Sequence, residues 1–272
     1  MNSKVLSPQN YEIGRYVYHP HLDVYGIYII MRSEMLETPS VLVDIFKLFA
    51  ENELPIVHFK LSRPQLKEPI KALIFFAIGR RKEVIDSIIE ELKRKDYIIE
   101  VMLIEPIFKG FVADTVMFPP TLNGERIVIL RQPLIKMLLN AIVKEYGNGF
   151  EVLLYYIGYE YGKLAYATHV EIVGRDREKM ITLSKVLFQL LGFGRMEVAD
   201  INLKDKTAVV RIYDSIECSS FKNSTRPKSY FIRGMLAGWF EEFFGVKMHS
   251  EETKCIARGD PYCEMRFYRA KE

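Results

Sequence analysis

Residues 22–105 alternate between strand and helix patterns in the order β-α-β-β-α-β, and this order restricts the fold more than any other feature of the chain. Apolar runs rich in β-branched residues predict four strands, at 23–31, 55–61, 69–79 and 97–107. Apolar residues at helical spacing predict helices over 37–53 and 81–96. Right-handed crossovers then place both helices on one face of a four-stranded antiparallel sheet, the ferredoxin-like split βαβ arrangement.

This element order resembles the ACT family of small regulatory modules. Members of that family often bind amino acids and dimerise through sheet or helix edges, and the resemblance covers about 85 residues. ACT ligand sites usually use a glycine in the first β-to-α loop, whereas the segment "RSEMLETP" contains none. We interpret residues 1–118 as an ACT-like ferredoxin-fold regulatory domain, for which dimerisation or docking is at least as good an interpretation as amino-acid binding.

The periodicity breaks in "FVADTVMFPPTLNGER" (111–126), where Pro119–Pro120 and Asn123–Gly124 are turn signals. A second domain, 125–272, is predicted to follow, so the chain is expected to be α+β. Its patterns indicate helices at 134–147, 151–170, 177–195 and 226–245, and hairpins at 196–215 and 246–269. Gly158 and Gly162 begin a stripe of small residues on which another helix can pack closely.

Two of the three cysteines, Cys255 and Cys263, lie on either side of the turn sequence "RGDP". If Arg258, Gly259 and Asp260 form a three-residue loop, the cysteines face each other across adjacent strands, with Cβ atoms about 4.5–5.5 Å apart. That spacing suits two thiolates sharing one tetrahedral zinc. A disulfide needs Cβ atoms about 3.8 Å apart and an oxidising compartment. Hairpin geometry alone leaves a zinc site and a pair of buried apolar thiols almost equally good interpretations.

Further donor residues favour the metal. Glu252 lies three residues before Cys255, a spacing that a metal accepts where the backbone turns or bulges between its ligands. In a regular strand Glu252 would point away, so this assignment requires a local distortion. His249 and Glu251 lie too far along an extended strand to reach the same ion. Cys218, in "YDSIECSS", is the remaining cysteine.

Four segments, in this order, resemble the vinyl-4-reductase domain family: "LLYYIGYEYGKLAY", "DSIEC", "SYFIRGMLAGWFEEFFG" and "EETKCIARGDPYC". The match covers roughly residues 125–268, and its most specific part is E-x-x-C-x-x-x-G-x-x-x-C, here Glu252, Cys255, Gly259 and Cys263. That family includes the sensor domains of phenol-responsive transcriptional activators and a protein linked to reduction of a chlorophyll-precursor vinyl group. Its fold is similar to that of vesicle-tethering complex subunits, a mixed α/β domain with an apolar internal pocket.

The resemblance implies a zinc site. In the sensors, zinc is held by the glutamate and two cysteines of the terminal element and by a third cysteine from the glycine-containing helix, a position that is Ser229 here. Cys218 replaces that ligand, or water fills the position, or the site is metal-free. We expect the first, with one zinc held by Cys218, Glu252, Cys255 and Cys263. A closed four-ligand site has no open position for substrate, so this zinc is predicted to be structural.

The resemblance also implies a pocket for a small apolar or aromatic ligand. Residues of two helices are candidates to line one cavity, although aromatic residues at this spacing more often form core: Tyr155, Tyr159, Phe231, Met235 and Trp239. Tyrosine hydroxyls would orient an aromatic or lipid-like ligand by hydrogen bonding. We expect binding without turnover and assign no catalytic residue, because no acid–base pair or cofactor motif accompanies the cavity.

The predicted function is therefore small-molecule sensing, and the alternative is an enzyme or accessory protein in reduction of a tetrapyrrole vinyl group. With 38 basic and 35 acidic residues, the charge is too balanced to indicate direct nucleic-acid binding, so regulatory output would need a protein partner. Sheet edges and small-residue stripes predict a homodimer. The segment "MNSKVLSPQNYEIGRY" lacks the apolar region of a signal peptide, and no stretch approaches the ~20 apolar residues that span a bilayer. A cytoplasmic protein without membrane contact is expected.

Overall fold

A computed structural model of the chain describes residues 9–38, 40–62, 67–79, 81–221 and 223–270. Residues 1–8, on which part of the cytoplasmic prediction depends, lie outside the described residues. The chain divides into two units, Met1–Val128 and Ile129–Glu272. In the described part of the chain, no helix combines the length and the apolar character needed to cross a membrane.

The first unit contains a four-stranded antiparallel sheet and two helices. Its elements, in chain order, are β1 (Tyr16–Tyr18), β2 (Val24–Met31), α1 (Ser40–Glu51), β3 (Ile56–Leu61), β4 (Ile70–Ala77), α2 (Glu83–Lys93), β5 (Ile98–Ile104), β6 (Phe111–Ala113), β7 (Thr121–Leu122) and β8 (Glu125–Arg126). The strand order in the main sheet is β3-β4-β2-β5, with every neighbouring pair antiparallel. This is the split βαβ arrangement that the element order predicts.

Alternating side chains of the central strand β2 serve two separate cores. Ile27 and Ile29 pack with Ile45 of α1 and Ile88 of α2, so both helices cover one face of the sheet. Val24 and Tyr28 point to the opposite face, because successive strand residues alternate in direction. Val112 of β6 covers that second face. The near-continuous apolar sequence of β2 follows from burial on both sides.

The segment at 111–126 contains short strands that its irregular sequence does not predict. β6 pairs with β1 in antiparallel register, with Val17 opposite Val112. β7 and β8 form a small hairpin whose turn residues, Asn123 and Gly124, have φ values of 52° and 85°. Asn-Gly is the preferred pair for a two-residue hairpin turn that requires positive φ at both positions.

The second unit contains three helices and another four-stranded antiparallel sheet. Its elements are α3 (Gln132–Val173), α4 (Arg177–Leu190), β9 (Arg195–Asn202), β10 (Thr207–Tyr213), α5 (Tyr230–Phe244), β11 (Met248–Lys254) and β12 (Cys263–Arg269). The strand order is β11-β12-β10-β9. The two helices predicted over 134–147 and 151–170 are joined as α3, which is interrupted at Gly147 by a φ of 54° and a ψ of −134°.

Helix α5 is the centre of the second unit, with ten of its fifteen residues buried. One side packs on the sheet, where the rings of Phe240 and Phe267 lie 5.0 Å apart. On the other side the α3 and α5 backbones touch. A Cβ added at Gly158 or Gly162 would collide with main-chain atoms of α5, and one added at Gly234 would collide with the carbonyl oxygen of Tyr155.

The glycine contacts change one argument for a homodimer. The sequence interpretation used the Gly158/Gly162 stripe as a surface for contact between protomers. In the structure that stripe is occupied within the chain by α5, whose Gly234 and Gly238 provide the matching small residues. Only the edge-strand argument, which concerns β3 and β5 at the two sides of the first sheet, remains from the original pair.

Candidate metal centre and adjoining cavity

Four potential metal ligands meet at the amino-terminal end of α5. One donor atom from each of Cys218, Glu252, Cys255 and Cys263 lies within 4.8 Å of all the others. The three cysteines are fully buried and not disulfide-bonded. The Sγ atoms of Cys218 and Cys255 are 3.6 Å apart. The structure therefore contains a cluster of three thiols and one carboxyl group that could bind a metal ion.

A β-bulge brings Glu252 to the cluster. The pairing register of β11 and β12 shifts between Glu252, which faces Met265, and Lys254, which faces Glu264. The extra residue, Thr253, changes the alternation of side chains, so that Glu252 and Cys255 share one face. This is the local distortion that the E-x-x-C spacing requires.

The loop between Cys255 and Cys263 is wider than the predicted three-residue turn. Ile256–Arg258 form one turn of 3₁₀ helix, and Gly259 ends it with a φ of 98°. The Asp260 carboxylate accepts a hydrogen bond of 2.8 Å from the backbone N–H of Cys255. The N–H of Ile256 points at the Cys263 sulfur, 3.4 Å away. The loop thus presents both thiols inward and gives one of them a backbone donor, as expected for a thiolate.

Cys218 approaches the cluster from a short 3₁₀ turn, Cys218–Ser220, beyond the end of β10. Its sulfur lies 2.9 Å from the hydroxyl of Ser229. Ser229 also donates to both Glu252 oxygens, from its hydroxyl at 2.7 Å and its backbone N–H at 3.0 Å. The sulfur of Cys218 therefore lies next to the position at which the resemblance expects a cysteine.

Burial and mutual hydrogen bonding shift the proton affinities of the cluster. Hydrogen bonds from the Cys218 and Cys263 thiols hold the pKa of Cys255 far below its usual range. Burial, followed by the charge of Cys255, raises the pKa of Glu252 to about 8. Both effects are those expected when acidic donors are confined together without a cation. A bound cation would reverse the second effect, because it favours the carboxylate.

The donor set fits zinc. Tetrahedral geometry with Zn–S bonds of about 2.3 Å places sulfur atoms roughly 3.8 Å from one another. The Cys218–Cys255 separation of 3.6 Å is close to that distance, and the 4.8 Å limit for the whole set requires only small movements. Three thiolates and one carboxylate leave no position for a substrate, so a metal held by all four would have a structural role.

A buried ion-pair network supports the segment between the cluster and α5. The side chain of Glu151 on α3 is 5% exposed and contacts Lys228 Nζ at 2.8 Å and Arg226 Nη2 at 2.9 Å. The backbone N–H of Lys228 points at the Cys255 sulfur, 3.4 Å away. The network therefore fixes the segment that supplies a second donor to the cluster.

A small apolar cavity lies farther along α5. It has a volume of about 50 Å³ and is lined by residues of α3, α4, β9 and α5 that include Tyr161, His169, Ser184, Phe188, Met235 and Trp239. Inside this lining, the indole N–H of Trp239 donates to Nδ1 of His169 at 3.1 Å. Burial lowers the pKa of His169 to about 4, so the imidazole is neutral at pH 7. Its other nitrogen, Nε2, therefore carries the proton.

The five predicted ligand residues are distributed over three environments. Met235 and Trp239 line the small cavity. Phe231 lines a larger groove on another side of the unit. The hydroxyl of Tyr155 is 3.1 Å from the Ser250 hydroxyl, and neither Tyr155 nor Tyr159 lines these two spaces. Burial, together with a hydrogen bond to Glu241, raises the pKa of Tyr159.

His169 is the residue that the sequence interpretation missed. It follows Gly158, Gly162 and Ala165 at intervals of four, three and four residues along α3, so it continues the same helical stripe. The stripe faces α5, because its glycines touch that helix. A polar residue at the next position of a buried small-residue stripe was the available signal.

A sequence model of the vinyl-4-reductase domain matches residues 208–269, a span that contains all four cluster residues. The chain belongs to the vinyl-4-reductase domain family, which confirms the resemblance of its second unit. The ACT-like resemblance of the first unit remains a prediction.

Two curated relatives come from Methanocaldococcus jannaschii. Uncharacterized protein MJ1460 is 31% identical over 121 residues, 44% of this chain and 67% of that protein. Uncharacterized protein MJ0150 is 27% identical over 118 residues, 43% of this chain and 64% of that protein. The matches thus span about two thirds of each relative. Among solved structures, the phenol-responsive sensory domain of the transcription activator PoxR with phenol is 20% identical, with a TM-score of 0.47 over 54% of this chain and 78% of that chain.

Proposed function

We propose that this protein is a ligand-sensing regulatory protein in which a structural zinc ion supports an apolar pocket for a small aromatic ligand. Cys218, Glu252, Cys255 and Cys263 would hold the zinc. Membership of the vinyl-4-reductase domain family and the composition of the donor cluster support this proposal.

The observation that carries the proposal is that α5 joins the cluster to the cavity. Ser229, which precedes the first residue of α5, donates two hydrogen bonds to Glu252. Met235 and Trp239, farther along the same helix, line the cavity. A change of side-chain packing in the cavity would therefore act on a helix whose first turn is fixed at the cluster. This connection gives a sensor a physical route from its ligand to the rest of the domain.

The lining of the cavity favours a small aromatic molecule with one hydroxyl group. Most of the lining is apolar, which suits a ring. His169 offers an N–H donor at Nε2, because its Nδ1 is occupied by Trp239. A phenolic oxygen would accept that hydrogen bond. In the predicted ligand set, Met235 and Trp239 keep their role, and His169 is added.

Ligand entry would require the cavity to expand. Its volume is about 50 Å³, whereas a cavity of roughly 150 Å³ is known to hold benzene. Met235 is an adaptable side chain because its thioether rotates freely. Helix α4, which supplies Ser184 and Phe188, is a second candidate for movement, because only Met180, Ser184 and Phe188 of its residues are buried. Expansion on binding would couple ligand occupancy to the position of α4.

The first unit, predicted over 1–118, would act as the ACT-like regulatory domain and the region 125–272 as the zinc-containing ligand-binding domain. The open edges β3 and β5 of the first sheet are the proposed contacts for a homodimer or for a protein partner that carries the output. Sequence and charge favour an intracellular, cytoplasmic setting in which thiols stay reduced.

Two measurements test the proposal. Metal analysis of protein purified without a histidine tag should find close to one zinc per chain, and a content below roughly a tenth of an equivalent would rule out the structural metal, given the tight binding usual for such sites. Titration with phenol and with toluene should change the fluorescence of Trp239, the chain's only tryptophan.

Phenol should bind about five- to tenfold more tightly than toluene, because one net hydrogen bond contributes about 1 kcal/mol. In a His169→Phe variant the two ligands should bind equally. A lack of response to phenols, fatty acids and porphyrins would overturn the sensor proposal. Oxidation of a reduced nicotinamide in the presence of a vinyl tetrapyrrole would instead support the enzymatic alternative.

A further inference from the structure

The first part of α3, residues 132–146, is a helical arm whose apolar surface is largely uncovered. Leu139 is the only buried residue of this arm. Met137 and Tyr146 are 57% and 69% exposed, and Leu134 and Leu138 are also exposed. A helix that is apolar around most of its circumference is stable only when other protein surrounds it. The arm therefore has a partner in the working protein.

The arm is separated from the rest of α3 by the break at Gly147. The backbone there has a φ of 54°, in the region that favours glycine, and no atom lies within 4 Å of the position of a Cβ. Gly149 follows closely, also without a neighbour at its Cβ position. Two weakly packed glycines allow the arm to take its direction from whatever it packs against.

An apolar groove of about 670 Å³ lies between the arm and the body of the second unit. The arm supplies Ile135, Leu138 and Ile142 to one wall, and Ile157, Phe193 and Phe231 belong to the other. Glu217 also contributes to the lining, but its carboxylate accepts hydrogen bonds from the backbone N–H groups of Phe231 and Ile232 at 2.8 and 2.9 Å. The groove therefore presents hydrocarbon to whatever occupies it.

The arm is held to its own body in a way that keeps the groove open. The side chain of Asn140 donates to the carbonyl oxygen of Ser220, and that of Gln132 donates to the Ser219 hydroxyl, both at 3.3 Å. A helix that forms one wall of a groove cannot also fill it. The occupant has to come from elsewhere, and it has to be apolar and elongated like the groove.

We propose that residues 132–146 of a second copy of this chain fill the groove, with the two copies exchanging arms about a twofold axis. A twofold interface must be self-complementary, and this chain carries both the apolar helix and the apolar groove. The proposal goes beyond the sensor function and does not depend on it, and it places the contact in the second unit rather than at the sheet edges of the first.

The exposed area is sufficient for such a dimer. Nine apolar side chains of the arm and its surroundings are 38–69% exposed: Leu130, Leu134, Met137, Leu138, Tyr146, Leu153, Tyr156, Ile157 and Leu191. At roughly 100 Å² for each fully exposed side chain, half-exposure supplies on the order of 500 Å² per copy. Two copies then bury on the order of 1,000 Å², at which specific interfaces begin.

Light scattering on the full chain provides the first test. The parent protein should have twice the chain mass of 31.8 kDa at micromolar concentration. Leu138→Lys places a charge in the groove and should weaken association at least tenfold, whereas Leu203→Lys, on the β9–β10 turn, should not. A monomeric parent overturns the proposal. A dimer unaffected by Leu138→Lys also overturns it while leaving an association through the first unit intact.

Cross-linking tests the exchange itself on a chain with no added charge. A photoreactive phenylalanine analogue at position 157 is irradiated in an equal mixture of ¹⁴N- and ¹⁵N-labelled protein after subunit exchange. The expected product joins position 157 to a peptide within 132–146, with about half of the products linking light to heavy chains because copies pair at random. Products confined to chains of one label would show that each arm closes on its own groove and would overturn the proposal, as would cross-links to any other segment.

Discussion

The indole nitrogen of Trp239 and Nδ1 of His169 form a hydrogen bond of 3.1 Å inside the core of the second unit. The bond requires an unprotonated Nδ1, so the pair is stable only while the imidazole is neutral. Burial enforces the same state, because it lowers the pKa of His169 to about 4. The geometry and the pKa therefore agree on one protonation state, and acidification opposes it.

The free energy of unfolding should fall as the pH drops from 6.5 towards 4. In this window the unfolded chain binds a proton at His169 that the folded chain does not, because the pKa is about 6.5 unfolded and about 4 folded. The contribution of His169 is complete above pH 6.5 and about 2 kcal/mol smaller at pH 5. Urea unfolding followed by Trp239 fluorescence at pH 7 and pH 5, with chelator present throughout, measures this loss.

A His169→Gln variant should lose about 2 kcal/mol less than the parent between the two pH values. His249→Gln, at an exposed position on β11, is the matched control and should keep the pH dependence of the parent. Equal slopes for the parent and His169→Gln would show that His169 is not buried in its neutral form.

Cys218→Ser should reduce zinc affinity by more than about 100-fold, because it removes a ligand rather than an outer contact. The reduction should be reversed by adding Ser229→Cys, since the Ser229 hydroxyl lies 2.9 Å from the Cys218 sulfur. Competition with a chromogenic chelator measures both affinities. Unchanged zinc binding in Cys218→Ser would remove Cys218 from the ligand set and leave Glu252, Cys255 and Cys263 in place.

Gly162→Ala should destabilise the second unit by about 2 kcal/mol or more, because the added Cβ meets the carbonyl oxygen of Met235 and the helices must separate. Gly149→Ala is the control on the same helix, with no atom within 4 Å of its Cβ position. It should be neutral or stabilise by up to about 1 kcal/mol, as alanine is the better helix former. Chemical unfolding of both variants compares the two sites, and equal effects would contradict close contact between α3 and α5.

Glu151→Gln should cost about 3 kcal/mol or more of unfolding free energy, because it leaves the ammonium group of Lys228 buried beside a neutral amide. Lys228→Met should cost less, since Glu151 keeps its contact with Arg226. The double variant Glu151→Leu, Lys228→Met should recover part of the loss of Glu151→Gln by removing both buried charges. A cost below about 1 kcal/mol for Glu151→Gln would mean that water reaches the pair.

Regular periodicity made the element order of both units predictable from the sequence. The apolar run of β2 and the helical spacing of α1 and α2 each reflect local burial, which residue type reports directly. The short strand β1 was missed because Tyr16–Tyr18 pairs with a segment almost a hundred residues away, and three residues carry too little pattern. Long-range pairing of this kind leaves little local trace.

The metal cluster was predictable because thiols and carboxylates are few and their spacing is informative. The conformation that joins them was not, because the bulge at Thr253 and the 3₁₀ turn after Cys255 depend on contacts formed only in the folded protein. The cavity was the least predictable part. Tyr155 and Tyr159 lie on the same helix as His169, and a single sequence does not show which face of a long helix borders a void.

Two glutamates hold the first turn of α5. Glu252 accepts from the N–H of Ser229, and Glu217 accepts from the N–H groups of Phe231 and Ile232. Because Glu252 also belongs to the donor cluster, the cluster cannot open without freeing an amide of this turn. The two should therefore unfold as a single cooperative segment, with hydrogen exchange at these three amides and solvent access to the thiols governed by one opening event.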